Sequence, residues 1–406
     1  MTGLWRRVAM MTAGVVALVG LAVLVSRGRA GAAADPFRPA DPAQVLEHLA
    51  AGASDPTSRE LAELRKELEA DPRNVNVATT FARRNIEEGR ARSDPRYLGH
   101  AQAALAPWWN EPSPPPSVLL LRATIRQSVH EFDSALKDLD QLLTLTPGDA
   151  QAWLTRSIVL SVRGDYAEAS RSCAPLARLA GDLVTSQCLA SVESLTGHAK
   201  EAYLRLGRAS ERAHVEASDR SERAWIASSL GEIAIRAGDD AGGEKRYDEA
   251  LALNPSDAYT LAAKADLLLD AGRAREAVAP LRDRENDDAL LLRLALAEQA
   301  SGDPSAAKHV EMLGARFAAS QARGDVVHRR EQARFQLALR HDPASALTLA
   351  RANWDVQKEP WDARIFLESA LAAGDPTAAN VVAEFLTKSG AEEPRLVALV
   401  RKVRGQ

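Results

Sequence analysis

Seven times along this 406-residue chain, a turn residue is followed five positions later by a small residue. The turn residues are His130, Gly164, Gly197, Gly238, Gly272, Gly302 and His341; the small ones are Ala135, Ala169, Ala202, Gly243, Ala277, Ala307 and Ala346. The intervals from His130 to Gly164 and from Gly238 to Gly272 are each 34 residues. A period of that size describes one supersecondary unit that cannot bury its apolar face alone and must stack on its neighbours. If the turn residue is position 15 and the small residue position 20, units begin near Pro116, Ala150, Leu183, Ala224, Ala258, Asp288 and Val327. Position 8 is then also small: Ala123, Ser157, Ala190, Gly231, Ala265 and Ala295.

This pattern predicts two antiparallel helices, A and B, per unit. Small side chains at 8 and 20 let the two backbones approach closely. Large apolar groups at 4, 11 and 24 fill the remaining space, as with Trp153, Leu160 and Cys173, or Leu261, Leu268 and Leu281. Glycine at 15 permits a left-handed turn. Pro147 and Pro255, at position 32, stop helix B. Aromatic residues make up only 5% of the chain while Ala and Leu are abundant, which favours helix over sheet. The net charge of −4 implies no broad electropositive field, so nucleic acid is not an expected partner.

The amino terminus carries a targeting or anchoring signal. Trp5-Arg6-Arg7 precedes an uncharged run from Val8 to Val25, close to the shortest helix that crosses a bilayer. The run is long for a cleavable signal, yet Ala32-Ala33-Ala34 supplies the small residues that a signal peptidase accepts. A retained anchor and a cleaved signal both remain open for residues 1–30. Arg6 and Arg7 slightly outweigh Arg27 and Arg29 once the amino group is counted, so the repeats are expected outside the bacterial inner membrane, in the periplasm. An inverted anchor would leave them in the cytoplasm. Residues 31–40, with Asp35-Pro36-Phe37-Arg38-Pro39, read as a linker.

Residues 41–106 read as degenerate amino-terminal pairs, with one unit starting near Val75. Residues 107–116 form a proline-rich joint, either a hinge or a stiff spacer. Residues 116–390 carry the main array, with extra length at 207–223, and residues 391–406 supply a capping helix. The total is about ten helical pairs.

The register resembles the tetratricopeptide repeat superfamily over residues 41–390. Leu230-Gly231 matches that pattern at positions 7 and 8, and Trp153 matches at position 4. Arg126 and Ala234 at position 11, and Ser186 at position 4, depart from it. The resemblance implies an all-α, right-handed α-solenoid behind one amino-terminal hydrophobic helix. Asp94 to Gly99, Ala106 to Trp109 and Ala352 to Pro360 also resemble exported bacterial repeat proteins, which implies fold and location only. In the superfamily, helix A positions 2, 5, 9, 12 and 13 line a concave ligand groove. Carried over, these are Ser117, Leu120, Thr124, Gln127 and Ser128, then Gln151, Leu154, Ile158, Ser161 and Val162, then Tyr259, Ala262, Asp266, Leu269 and Asp270. The first ten are uncharged and suit a peptide segment with apolar anchors.

Cys173 and Cys188 lie level across the link centred on Ala180-Gly181. A disulfide is feasible if their Cα atoms lie within about 7 Å; two buried thiols are the alternative. Trp108, Trp109, Trp354 and Trp361 are either interface anchors or packing residues. The eight histidines show no metal spacing, and no phosphate-binding or nucleophile motif occurs. No metal, cofactor or catalytic residue is expected. The expected function is a non-enzymatic scaffold that is membrane-tethered or secreted to the periplasm and binds an envelope or exported protein for assembly or export. The alternatives are a periplasmic component of polysaccharide secretion and a cytoplasmic membrane-anchored scaffold.

Overall fold

The computed structural model describes residues 56–92, 94–213 and 220–405. The Val8 to Val25 run, the linker and part of the extra length at 207–223 lie outside them. Among the described residues, no helix is long and apolar enough to cross a membrane.

The architecture is all-α and is built of consecutive helical pairs. Helix α1 (Pro56–Ala70) comes first. Then α2 (Val75–Arg92) pairs with α3 (Arg96–Ala104), and the short α4 (Ala106–Trp109) leads into the array. The next pairs are α5 (Pro116–Ser128) with α6 (Phe132–Leu145), and α7 (Ala150–Arg163) with α8 (Tyr166–Cys173) and its extension α9 (Leu176–Leu179). After these come α10 (Gly181–Glu193) with α11 (Ala199–Arg212), α12 (Arg220–Arg236) with α13 (Asp240–Leu253), and α14 (Ala258–Asp270) with α15 (Ala274–Leu281). The carboxy-terminal pairs are α16 (Asp288–Ser301) with α17 (Ala306–Ala322), α18 (Arg329–Ala338) with α19 (Pro343–Trp354), and α20 (Pro360–Ala373) with α21 (Pro376–Ser389). Helix α22 (Pro394–Val403) ends the chain as a cap.

Local chemistry sets the helix ends. Asp149, Asp239, Asp257, Asp287, Asp342 and Asp375 each accept a backbone N–H of the first turn, the preferred N-cap arrangement. All seven turn residues adopt the left-handed conformation, including His130 (φ 62°) and His341 (φ 55°). Ala123, Ala135, Ala169, Ala190, Ala202, Ala295 and Ala346 are fully buried where helix A meets helix B. Cys173 and Cys188 are bonded, with their Cα atoms 5.6 Å apart, and this staples α8 to α10.

The proline-rich joint is pinned, so it is not a free hinge. Arg122 of α5 is buried, and its Nη1 donates to the carbonyls of Trp108 (3.2 Å), Trp109 (2.7 Å) and Glu111 (3.1 Å). Its Nε and Nη2 donate to Asp138 of α6 at 2.9 and 2.7 Å. Arg126, the departure at position 11, reaches the same Asp138 at 2.7 Å and lies 5.6 Å over the Trp109 ring. The joint is thus held by a charge cluster.

The array closes on itself. The Lys358 N–H donates to the Val162 carbonyl at 2.6 Å, and the Ala199 N–H donates to Glu392 at 2.5 Å across 193 residues. Arg395 makes a two-pronged pair with Asp240, at 3.1 and 2.8 Å. The turn glycines take part. A Cβ on Gly197 would lie 2.7 Å from the Gly390 carbonyl oxygen, and one on Gly164 would lie 2.8 Å from the Phe385 ring. Around Gly272 the space is open.

Two predictions follow from these contacts. Arg122→Ala leaves Asp138 with Arg126 as its remaining charged partner and strands three carbonyls, and should cost about 1–3 kcal/mol in chemical denaturation; a loss below about 0.5 kcal/mol would mean the clamp contributes nothing. Gly197→Ala and Gly272→Ala both force a left-handed alanine, at about 1–2 kcal/mol. Only Gly197→Ala also presses on the docked backbone, adding about 1–3 kcal/mol. Equal melting temperatures for the two variants would contradict the closure contact.

Candidate functional site

Closure frames a partly open cavity on the inner face of the carboxy-terminal half. Helix A residues build most of its wall. On α14, Tyr259, Ala262, Asp266 and Asp270 recur every three or four residues and so share one face. Helix α12 presents Glu232, Ile235 and Arg236 with the same spacing. Helix α20 contributes Trp361 and Arg364, and α16 and α18 contribute Arg293 and Arg330. Glu359 and Glu393, the residues just before α20 and α22, complete the rim with Arg395.

The wall is a network of ion pairs. Asp266 is buried and accepts from Arg293 at 2.8 Å and from Arg334 at 2.6 Å. Asp270 accepts from Arg364 at 2.6 and 2.7 Å, and Arg395 stands 2.9 Å away. Arg330 reaches Glu359 at 2.9 Å and Asp362 at 3.4 Å. The guanidiniums of Arg334 and Arg364 each lie 4.4 Å from the centre of the Trp361 ring, a cation–π arrangement. The Tyr259 hydroxyl donates to Glu232.

Burial and pairing divide the carboxyls. Burial raises Asp266, but the two guanidiniums outweigh it and hold the group below the usual carboxylate range. Burial pushes Glu359 up to about 7 against the pull of Arg330, with the neighbouring Asp362 adding to the rise. Glu232 and Glu393 are also raised, in each case chiefly by burial.

The chain matches no protein-family model and no curated protein. Among solved structures it is similar to the human IFIT1 dimer with PPP-AAAA, with 13% identity and a TM-score of 0.47 over 82% of this chain and 87% of that one. It is also similar to a tetratricopeptide repeat protein from Parabacteroides merdae, with 11% identity and a TM-score of 0.37 over 77% and 99%. A third likeness is to yeast Tom70, with 12% identity and a TM-score of 0.38 over 86% of each chain. These are likenesses of fold.

The structure separates the candidate groove residues into two groups. Tyr259, Asp266 and Asp270, with Ala262, line the cavity. In the first two complete units, Leu120, Thr124, Leu154 and Val162 are buried, Gln127, Ser128, Gln151, Ile158 and Ser161 are half-buried, and Ser117 is exposed. Val356 packs against the cluster that holds Leu120 and Val162, and Lys358 bonds the Val162 carbonyl. The chain's own later segment therefore covers part of that face. The hydroxyls of Thr124, Ser128 and Ser161 are satisfied by their own helix, each donating to the carbonyl four residues back. Trp108 and Trp354 are core residues, Trp109 lies beneath Arg126, and Trp361 faces the cavity.

Glu232, Ile235 and Arg236 were within reach of sequence reasoning, since they occupy positions 9, 12 and 13 of the Ala224 unit. Arg364, Glu393 and Arg395 carried no local signal. Arg364 and Arg395 meet Asp270, and Arg395 meets Asp240, only because the array turns back, with Arg364 lying 94 positions after Asp270.

The raised carboxyls predict a pH dependence. Glu359 keeps its proton in the folded state up to about pH 7, whereas an unfolded glutamate releases it near 4.5. Its stabilising contribution is complete below the lower value and is lost as pH rises through the upper one. Glu232 and Glu393 act in the same direction. Buried His130, held down at about 4, acts in the opposite direction between about pH 4 and 6.5, so the variant isolates the glutamate: the stability of Glu359→Gln relative to the native chain should rise between about pH 5 and pH 8. A difference between the two proteins that stays constant over this window would contradict the assignment.

Proposed function

We propose that this chain is a non-enzymatic protein-binding scaffold, exported to the periplasm or held at the bacterial inner membrane through Val8 to Val25, which keeps an envelope or exported protein ready for assembly or export. The repeat architecture carries the reading. Stacked helical pairs present long continuous surfaces, and such arrays commonly use them for binding. The Cys173–Cys188 bond supports the exported location, because disulfides persist in oxidising compartments and are rare in the cytosol. The proposed contacts on the amino-terminal half are Ser117, Gln127, Ser128, Gln151, Ile158 and Ser161, which stay at least partly accessible beside the covered Val162. The uncharged character of this strip suits an apolar or polar peptide segment better than a charged terminus.

Crosslinking on native membranes followed by mass spectrometry tests the partner, and protease treatment of spheroplasts tests the side. The expected outcome is one stoichiometric envelope protein crosslinked to the repeats, with the repeats digested from outside. Recovery of no stoichiometric partner would overturn the scaffold reading. Full protection of the repeats in spheroplasts would overturn the exported location.

A further inference from the structure

The loop between α19 and α20 lies against the inner face of the first two complete units as a bound peptide would. Half-buried Val356 packs on the apolar cluster that holds Leu120, Val159 and Val162. Two residues later, both backbone groups of Lys358 are engaged. Its N–H donates to the Val162 carbonyl at 2.6 Å, and its carbonyl accepts from the Tyr166 hydroxyl at 3.5 Å. The Val162 carbonyl belongs to the last turn of α7, where a helix leaves its carbonyls without a partner of its own. The Lys358 side chain takes no part in these two bonds. It passes Gly164, and its ammonium lies 5.7 Å from the centre of the Trp354 ring. This face therefore reads one apolar side chain and a stretch of backbone.

The loop is built by its own side of the join. Buried Gln357 donates to Asn353 at 3.1 Å and to Asp362 at 3.2 Å, and Asn353 donates to Asp362 at 2.8 Å. The Glu359 N–H donates to the other oxygen of Asp362, also at 2.8 Å. The shape of the loop thus does not depend on what it touches across the join. Contacts across the join are sparse by comparison. Among the described residues, no helix of 329–403 packs along a helix of 116–253. The contacts run instead through this loop, the turns at Gly164, Gly197 and Gly238, and the Arg395–Asp240 pair. Half of the Asp240 side chain is exposed, and ion pairs so placed contribute little. Each half is held by neighbour-on-neighbour stacking, so the join fixes the shape of the array rather than the folding of its repeats. A preformed loop on loose contacts can dock and undock as a unit.

We propose that Val356 to Lys358 is an internal stand-in for the partner: the join opens, and an extended segment of the bound protein replaces the chain's own loop against Leu120, Val162 and Tyr166. The segment that fits carries a β-branched apolar anchor and, two residues later, a residue whose N–H and carbonyl are both free to bond. Its other side chains are unconstrained, because the groove reads backbone there. The closed array is thus the inhibited form of the scaffold, and partner and loop compete for one surface. This inference rests on the scaffold reading and adds the occupant and its control. Its test uses the chain's own sequence as probe and needs no cellular partner. A partner recovered by crosslinking alongside a failed probe removes only the stand-in, and a bound probe without a recovered partner removes only the scaffold.

The probe is a fluorescent peptide copying residues 353–360, titrated by anisotropy into the full native chain and into its Val356→Asp variant, which spoils the internal anchor. A native join that is open a tenth of the time or less lowers apparent affinity about ten-fold or more. The variant should therefore bind the peptide at least about ten-fold more tightly than the native chain, and the same peptide carrying Val356→Asp should not bind. Small-angle scattering should show a larger radius of gyration for the variant. Circular dichroism establishes that the variant is folded. If it is not, hydrogen exchange of the native chain decides. The amides of Lys358 and Ala199 donate across the join, and they should exchange through one common opening, about ten-fold or more faster than the Leu160 amide inside α7. The proposal is overturned if the variant binds the peptide no better than the native chain, if the two peptides bind alike, or if Lys358 and Ala199 are as protected as Leu160. Sedimentation that shows the native chain dimerising would overturn the partner segment as occupant in favour of the loop of a second copy.

Discussion

The contact on which the rest of this structure depends is the docking of its last helices onto the turns of repeats almost two hundred residues earlier. A helical-repeat array ordinarily builds its stability from neighbour upon neighbour. Here backbone meets backbone at Lys358 and Val162, and Gly390 approaches Gly197 so closely that a methyl group would not fit between them. Such approach needs residues without side chains at the turn. The glycine that lets helix A reverse into helix B therefore has a second task at Gly164 and Gly197, which Gly272 does not share. The cavity is a consequence of this closure, because its walls come from both sides of the join.

Closure brings many charges inside, and pairing makes that tolerable. Isolated buried charges are expensive, whereas forked guanidinium–carboxylate pairs recover much of the loss. Helix α18 shows the result: Arg330, Glu331 and Gln332 are all buried on a segment that looks too polar for a core. They lie at the junction of α18 with α20, where Arg330 meets Glu359 and Asp362. The Arg122–Asp138 clamp follows the same logic at the other end of the array, converting a proline-rich stretch into a fixed joint. The inner face is thus held by shared ion pairs, with Asp266 and Asp270 each serving two arginines.

Local chemistry made much of the fold readable. Aspartate before a helix, a glycine or histidine at the turn, and alanine five residues later are requirements of one hairpin, met within about 34 residues. Their recurrence yields the helical pairs and their order. It also places Cys173 and Cys188 level across a single contact, since counting outward from one short link is enough. The departures from the pattern were visible as departures, but their reason was not. Arg126 at an apolar position makes sense only beside Asp138 and Trp109, and the joint's rigidity depends on Arg122 reaching three carbonyls at once.

The sequence by itself determined the helical hairpin, its period and the residues that face inward within each unit, because those follow from spacing along one or two helices. Only the tertiary structure decided which inward faces stay accessible. The path of a solenoid accumulates a small rotation at every repeat, so whether its ends meet depends on the sum of many packing angles, which no single unit encodes. That sum covers Val162 and brings Arg364 and Arg395 to Asp270.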